Sequence, residues 1–171
     1  DIALTTAGAG NFTITNFKGD LANTGSGTNT ITLADNADGD YTITSSTAIT
    51  VANGSAQDGD TITLAGAGNK TVTGLVADVS LANTNTGTTA VTTGDASLAI
   101  ASHASAGNLT VNATAAAEGK TLTLSSGATG KTATLTGMNS TLVATSLDSA
   151  LTVGLVDATS NAISITTGTH T

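Results

Sequence analysis

Few side chains in this sequence could do chemistry, and the densest group of them is DNADGD, Asp35 to Asp40. Asp35, Asp38 and Asp40 place three carboxylates and a turn glycine within six residues. Calcium takes hard oxygen ligands arranged around a tight turn, so these three aspartates are the candidate metal ligands. Calcium is also the one cofactor the sequence offers. Two features count against it. The distal bidentate glutamate of an EF-hand has no counterpart, because Glu118 is the only glutamate in the chain. No glycine-aspartate nonapeptide of the calcium-roll type is present either. Turn formation and solubility are the competing roles of these acids and of Asp58 and Asp60, and they weigh more.

Catalysis has less to work with. His103 and His170 are the only histidines, and cysteine, tryptophan and arginine are absent. Ser102 and Ser105 flank His103, but in a serine-rich chain that adjacency identifies no nucleophile, and no third group orients the base. Paired carboxylates could hydrolyse glycosides. Sugar sites, however, want aromatic platforms, and aromatic residues make up only 2% of the chain. The sequence reads as a protein without catalytic function.

The remaining candidates are threonines. Thr13/Thr15, Thr42/Thr44, Thr71/Thr73 and Thr134/Thr136 recur as Thr-x-Thr pairs, with Ala99/Ala101 and Ser164/Thr166 at the equivalent positions. A second column, Thr32, Thr63, Thr92, Thr123 and Thr152, is unbroken. Such an array looks like the ice-binding face of solenoid antifreeze proteins. That resemblance makes the four Thr-x-Thr pairs candidate ligand-binding residues, with ice as the ligand. The plainer account is that threonine is β-branched, favours strands and stacks well on itself.

The elements that must position these side chains repeat. TITLADNADGDYTITSSTAITVAN, Thr30 to Asn53, holds three short alternating runs. It returns in degraded form from Thr61, Ala90 and Thr121, begins part-way through at Ile2, and is cut short from Leu151. A period of about 30 residues indicates a solenoid, propeller or array. Period-two alternation makes each run a strand. It also turns Ile31/Leu33, Ile62/Leu64, Tyr41/Ile43, Ile49/Val51 and their equivalents inward. The expected fold is all-β: one parallel β-solenoid over residues 1–171, with about six three-stranded rungs of roughly 30 residues. Equivalent strands would then stack, so Ile31, Ile62 and Leu122 would be neighbours. Asn23, Asn53 and Asn83 would form an asparagine ladder at one corner. Lys70 falls at an inward position, where its head is expected to reach water at the strand's edge.

Composition narrows the partners. The net charge is −8 with four lysines, which disfavours nucleic acid and anionic membrane surfaces. No apolar run is long enough for a membrane span. Only 9% of residues are charged, while 39% are apolar with a mean hydropathy of +0.20, which argues against disorder. Segments such as GNLTVNATAAAEGKTLTLSSGATGKTATLTG, Gly107 to Gly137, resemble solenoid regions of large secreted bacterial surface proteins: S-layer proteins, type I-secreted adhesins and filamentous-haemagglutinin-like exoproteins. The resemblance implies an extracellular location on a bacterial surface and a structural role as stalk, layer or filament. Neither end of the sequence carries a helix or charged strand to cap an open edge, so the expectation is either a segment of a longer chain or self-association through open solenoid ends or neighbouring repeats.

Overall fold

The computed structural model describes residues 2–37, 39–102 and 106–156, and the backbone of 163–167. Among them run seventeen strands and no helix. The first six are β1 (Ile2–Thr6), β2 (Phe12–Phe17), β3 (Gly19–Asn23), β4 (Asn29–Leu33), β5 (Asp40–Ser45) and β6 (Ile49–Ala52). Next come β7 (Thr61–Ala65), β8 (Lys70–Leu75), β9 (Asp78–Leu81), β10 (Thr89–Thr93), β11 (Leu98–Ser102) and β12 (Leu109–Asn112). The last are β13 (Thr121–Ser125), β14 (Thr132–Met138), β15 (Thr141–Leu147), β16 (Ala150–Leu155) and β17 (Ile163–Thr167).

Every strand pairs in parallel with the second strand before or after it. Odd strands form a nine-stranded sheet and even strands an eight-stranded one. The chain is therefore the expected parallel β-solenoid, but its turn differs. Each turn has two strands rather than three, giving about eight turns instead of six rungs. Nine strands at the usual spacing make a rod roughly 38 Å long.

The sequence repeat is real, yet it is not the structural repeat. Three strands per repeat and two per turn make each repeat one and a half turns. The first strands of successive repeats, β4, β7, β10, β13 and β16, accordingly alternate between the two sheets. Ile31 pairs with Ile14 and Val51 in one sheet, whereas Ile62 pairs with Tyr41 and Val79 in the other. The asparagine ladder fails for the same reason. Asn23 ends β3 in the odd sheet, Asn53 follows β6 in the even sheet, and Asn83 is exposed in a corner.

The inward assignments hold despite the different winding. Ile14, Ile31, Val51, Val72, Val91, Val111, Leu135 and Val153 form one aliphatic column up the even sheet. Its members from Ile31 to Leu135 are buried. Facing it, Leu4, Leu21, Ile43, Leu64 and Leu81 run up the odd sheet. Ile2 is 57% exposed because β1 is an edge strand with no turn over it.

Side chains at the corners and strand starts carry hydrogen bonds from turn to turn. Asn11, Asn69 and Asn108 accept from the backbone N–H groups of Thr28, Thr88 and Thr132 at 2.7, 3.0 and 3.1 Å. Asp20, Asp78 and Asp95 do the same for Thr42, Ala99 and Ala117 at 3.0, 2.7 and 2.9 Å. These three acids thus serve as acceptors for backbone amides of the next turn.

Candidate functional site

Alternation along each strand sends every second side chain to solvent, and the sheet ladder sets those side chains side by side. In the even sheet the register aligns Thr13, Thr30, Thr50, Thr71, Ala90, Thr110, Thr134 and Thr152. Seven of these eight are threonine. Beside them stand Thr15, Thr32, Ala52, Thr73, Thr92, Asn112, Thr136 and Gly154, two residues further along each strand. No charged side chain occurs in either row. Neighbouring hydroxyls are spaced by about 4.8 Å across strands and roughly 6.7 Å along them.

The predicted threonines divide between the faces. Thr13, Thr15, Thr71, Thr73, Thr134 and Thr136 share this even face, on β2, β8 and β14. Thr42 and Thr44 lie on β5 in the other sheet, so the four pairs do not make one array. The alternating winding also puts Ala99 and Ala101 of β11 on the odd face, where they do not interrupt the threonine column. Sequence reasoning missed Thr50 and Thr110 as members of it.

The odd face is chemically mixed. Its corresponding row reads Ala3, Asp20, Thr42, Thr63, Ser80, Ala101, Ser125 and Thr145. The repeat passes each class of strand through both faces in turn, so repetition alone would distribute threonine equally. Instead its third-strand class shows Asp20, Ser80 and Thr145 in the odd row and Thr50 and Thr110 in the even one. Threonine is the more frequent residue in the even row.

The acidic loop is arranged around its backbone. Asp35, after β4, and Asp40, the first residue of β5, are exposed, while Asp38 lies outside the described residues. The loop is closed by the Gly39 N–H donating to Asn36 O at 3.0 Å and by Asn36 Nδ2 donating to Asp40 O at 3.1 Å. No cluster of three metal-ligating side chains occurs among the described residues. Asp60, placed in sequence with the exposed acids, is 8% exposed. Its Oδ2 accepts the Gln57 N–H at 2.7 Å and lies 3.4 Å from the Tyr41 hydroxyl. Burial, and then the Asp60 charge, push the Tyr41 phenol up to about 12.

A buried polar seam runs up the corner that leads from the odd sheet to the even sheet. Thr6 Oγ1 donates to Asn23 Oδ1 at 3.0 Å, and Asn23 Nδ2 donates to Ser45 Oγ at 2.8 Å. One turn on comes Lys70, the first residue of β8, inward between Ile49 and Thr89. It is 1% exposed, so its head does not reach water as expected. Nζ donates instead to the backbone carbonyls of Ser45, Gly66 and Gly68 at 3.2, 2.9 and 2.5 Å. These acceptors satisfy all three N–H groups of the ammonium, which is why the corner tolerates it inside. Burial lowers its pKa from the ordinary 10.5 to about 8.

His103 and His170 lie outside the described residues. No helix among the described residues is long and apolar enough to cross a membrane. A shallow depression of about 200 Å³ beside the threonine face is lined by Ser26, Thr28, Thr50, Asn69 and Thr71 and by no titratable group. Compared with protein-family models, curated proteins and solved structures, the chain matches none of them.

Proposed function

We propose that this chain is a rigid structural module of an extracellular bacterial surface protein: a stalk, surface-layer or filament element without catalysis. The supporting observation is the continuity of turn-to-turn bonding. Both ladders, the aliphatic columns and the corner acceptors join each turn only to its neighbours, the construction of a quasi-one-dimensional rod. Length is then set by the number of turns, which suits a part that holds something at a distance. The absence of cysteine and the low charge fit the secreted bacterial surface proteins that the sequence resembles. Antibody raised against residues 1–171 should label intact cells of the source organism. Labelling only after lysis would sink the assignment.

A second reading rests on a different observation, the confinement of the threonine column to one face. On this reading the even sheet binds ice. Its methyls and hydroxyls would order water in a plane, and the excluded charges would otherwise disrupt that order. Purified protein should show thermal hysteresis and shape ice crystals. Thr71→Lys and Thr110→Lys should abolish both effects while leaving the circular dichroism unchanged. Thr63→Lys, on the odd face, should retain them. If millimolar wild-type protein gives no hysteresis, the face does not bind ice and the rod alone remains.

A further inference from the structure

We propose that the carbonyl oxygens of Ser45, Gly66 and Gly68 form a site for a monovalent cation, of which the Lys70 ammonium is the tethered occupant. The inward column that contains Lys70 also holds Phe12, Asn29, Ile49, Thr89, Leu109, Ala133 and Leu151, so the strand itself has no need of a cation there. Next comes the donor set. Three backbone oxygens converge on one nitrogen within 3.2 Å, and they belong to two successive turns: Ser45 ends β5, and Gly66 and Gly68 lie in the corner after β7. Converging carbonyl dipoles replace a hydration shell, which is how oxygen-lined sites hold potassium or ammonium.

Burial lowers the Lys70 pKa, and the partners of Nζ are three carbonyls and no carboxylate. The carbonyls therefore take the place that a counter-ion usually fills. A diffusible ion in such a corner would depend on the surrounding medium. A covalently held one cannot be exchanged or chelated, and it ties two turns together under any salt. The chemical class of ligand is an ammonium-sized monovalent cation. The assignment stands apart from the role proposed for the rod and from the threonine face.

The test removes the tether and offers the free ion. Lys70→Ala is melted in ammonium, potassium and choline chloride at equal ionic strength, with wild type alongside. The variant's melting temperature should rise saturably with ammonium or potassium relative to choline, as expected for a ligand bound only by the folded state. Wild type should melt alike in all three. Identical melting of the variant in the three salts overturns the proposal. Should Lys70→Ala fail to fold, wild-type protein labelled with ¹⁵N-lysine decides the matter. The Lys70 ammonium should exchange its hydrogens far more slowly than Lys18, Lys120 and Lys131. Exchange as fast as theirs would mean that the three carbonyls do not hold it.

Discussion

Gly68→Ala is expected to destabilise this protein by about 3 kcal/mol or more, an effect at the upper end for a single methyl. A Cβ at position 68 would stand 1.9 Å from the carbonyl oxygen of Thr47 and 2.2 Å from its carbon. Both are backbone atoms of the turn below, and no side-chain rotation can move them aside. The same corner repeats the arrangement. A Cβ on Gly27 would meet Gly10 O at 2.3 Å, one on Gly87 would meet Gly68 O at 2.5 Å, and one on Gly107 would meet Gly87 O at 2.1 Å. None of these glycines has a positive φ, so the demand is for close approach between stacked turns and not for the left-handed region. Gly10 heads the column with no turn beneath it, and a methyl added there would meet nothing within 4 Å. Gly10→Ala should therefore cost no more than about 0.5 kcal/mol. Urea denaturation of the two variants makes the comparison. Equal midpoints would mean that the turns do not stack on this column.

That glycine column shows where sequence reading stopped. Alternation within a strand depends only on neighbours in the chain, so the inward set, from Ile31 and Leu33 to Leu142, was legible residue by residue. Winding depends on how sharply each corner turns, and the same inward stripes fit a coil with two sides or three. Lining up repeats favoured three sides, because it placed like strands together that in fact lie on opposite faces. One signal did point to the shorter turn. Thr13, Thr30, Thr50 and Thr71, drawn from all three strand classes, follow one another at intervals of 17, 20 and 21 residues. A search for face chemistry at about 20 residues would have found them; a search for repeated strings does not. Lys70 was legible as a misfit but not as a solution. Its acceptors are main-chain carbonyls of Ser45, Gly66 and Gly68, and carbonyls leave no mark in residue types. The Asn23, Asn53 and Asn83 set was misread in the same way. Asn53 Oδ1 accepts the N–H groups of Val76 and Ala77 at 3.2 and 3.3 Å, a bond between turns that needs no second asparagine.

Stability should climb as the pH is raised from 8 to 10, and then fall. Lys70 supplies the rise. Its folded pKa of about 8 lies below its ordinary 10.5, so across that interval the unfolded chain binds the additional proton. Stability increases with pH wherever the unfolded state binds more protons. The gain is on the order of 1–3 kcal/mol, the lower figure allowing for solvent screening of the ammonium. Tyr41 supplies the fall. Its hydroxyl donates to Ala34 O at 2.5 Å in a site 1% exposed, beside the Asp60 carboxylate. The folded phenol resists ionisation to about 12, against an ordinary 10.0. Between those values the unfolded chain loses its proton first, and the folded state loses the advantage it held below pH 10. Two separate variants should remove the two limbs. Lys70→Met should flatten the rise, and it should also cost about 2 kcal/mol at neutral pH by leaving Gly66 O and Gly68 O without this donor. Tyr41→Phe should spare the rise and flatten the fall. Urea midpoints taken at half-unit steps from pH 7 to 12 measure both limbs. A wild-type profile flat from pH 8 to 10 would mean that the Lys70 ammonium is solvated when folded as it is when unfolded, and so is not enclosed in the carbonyl corner.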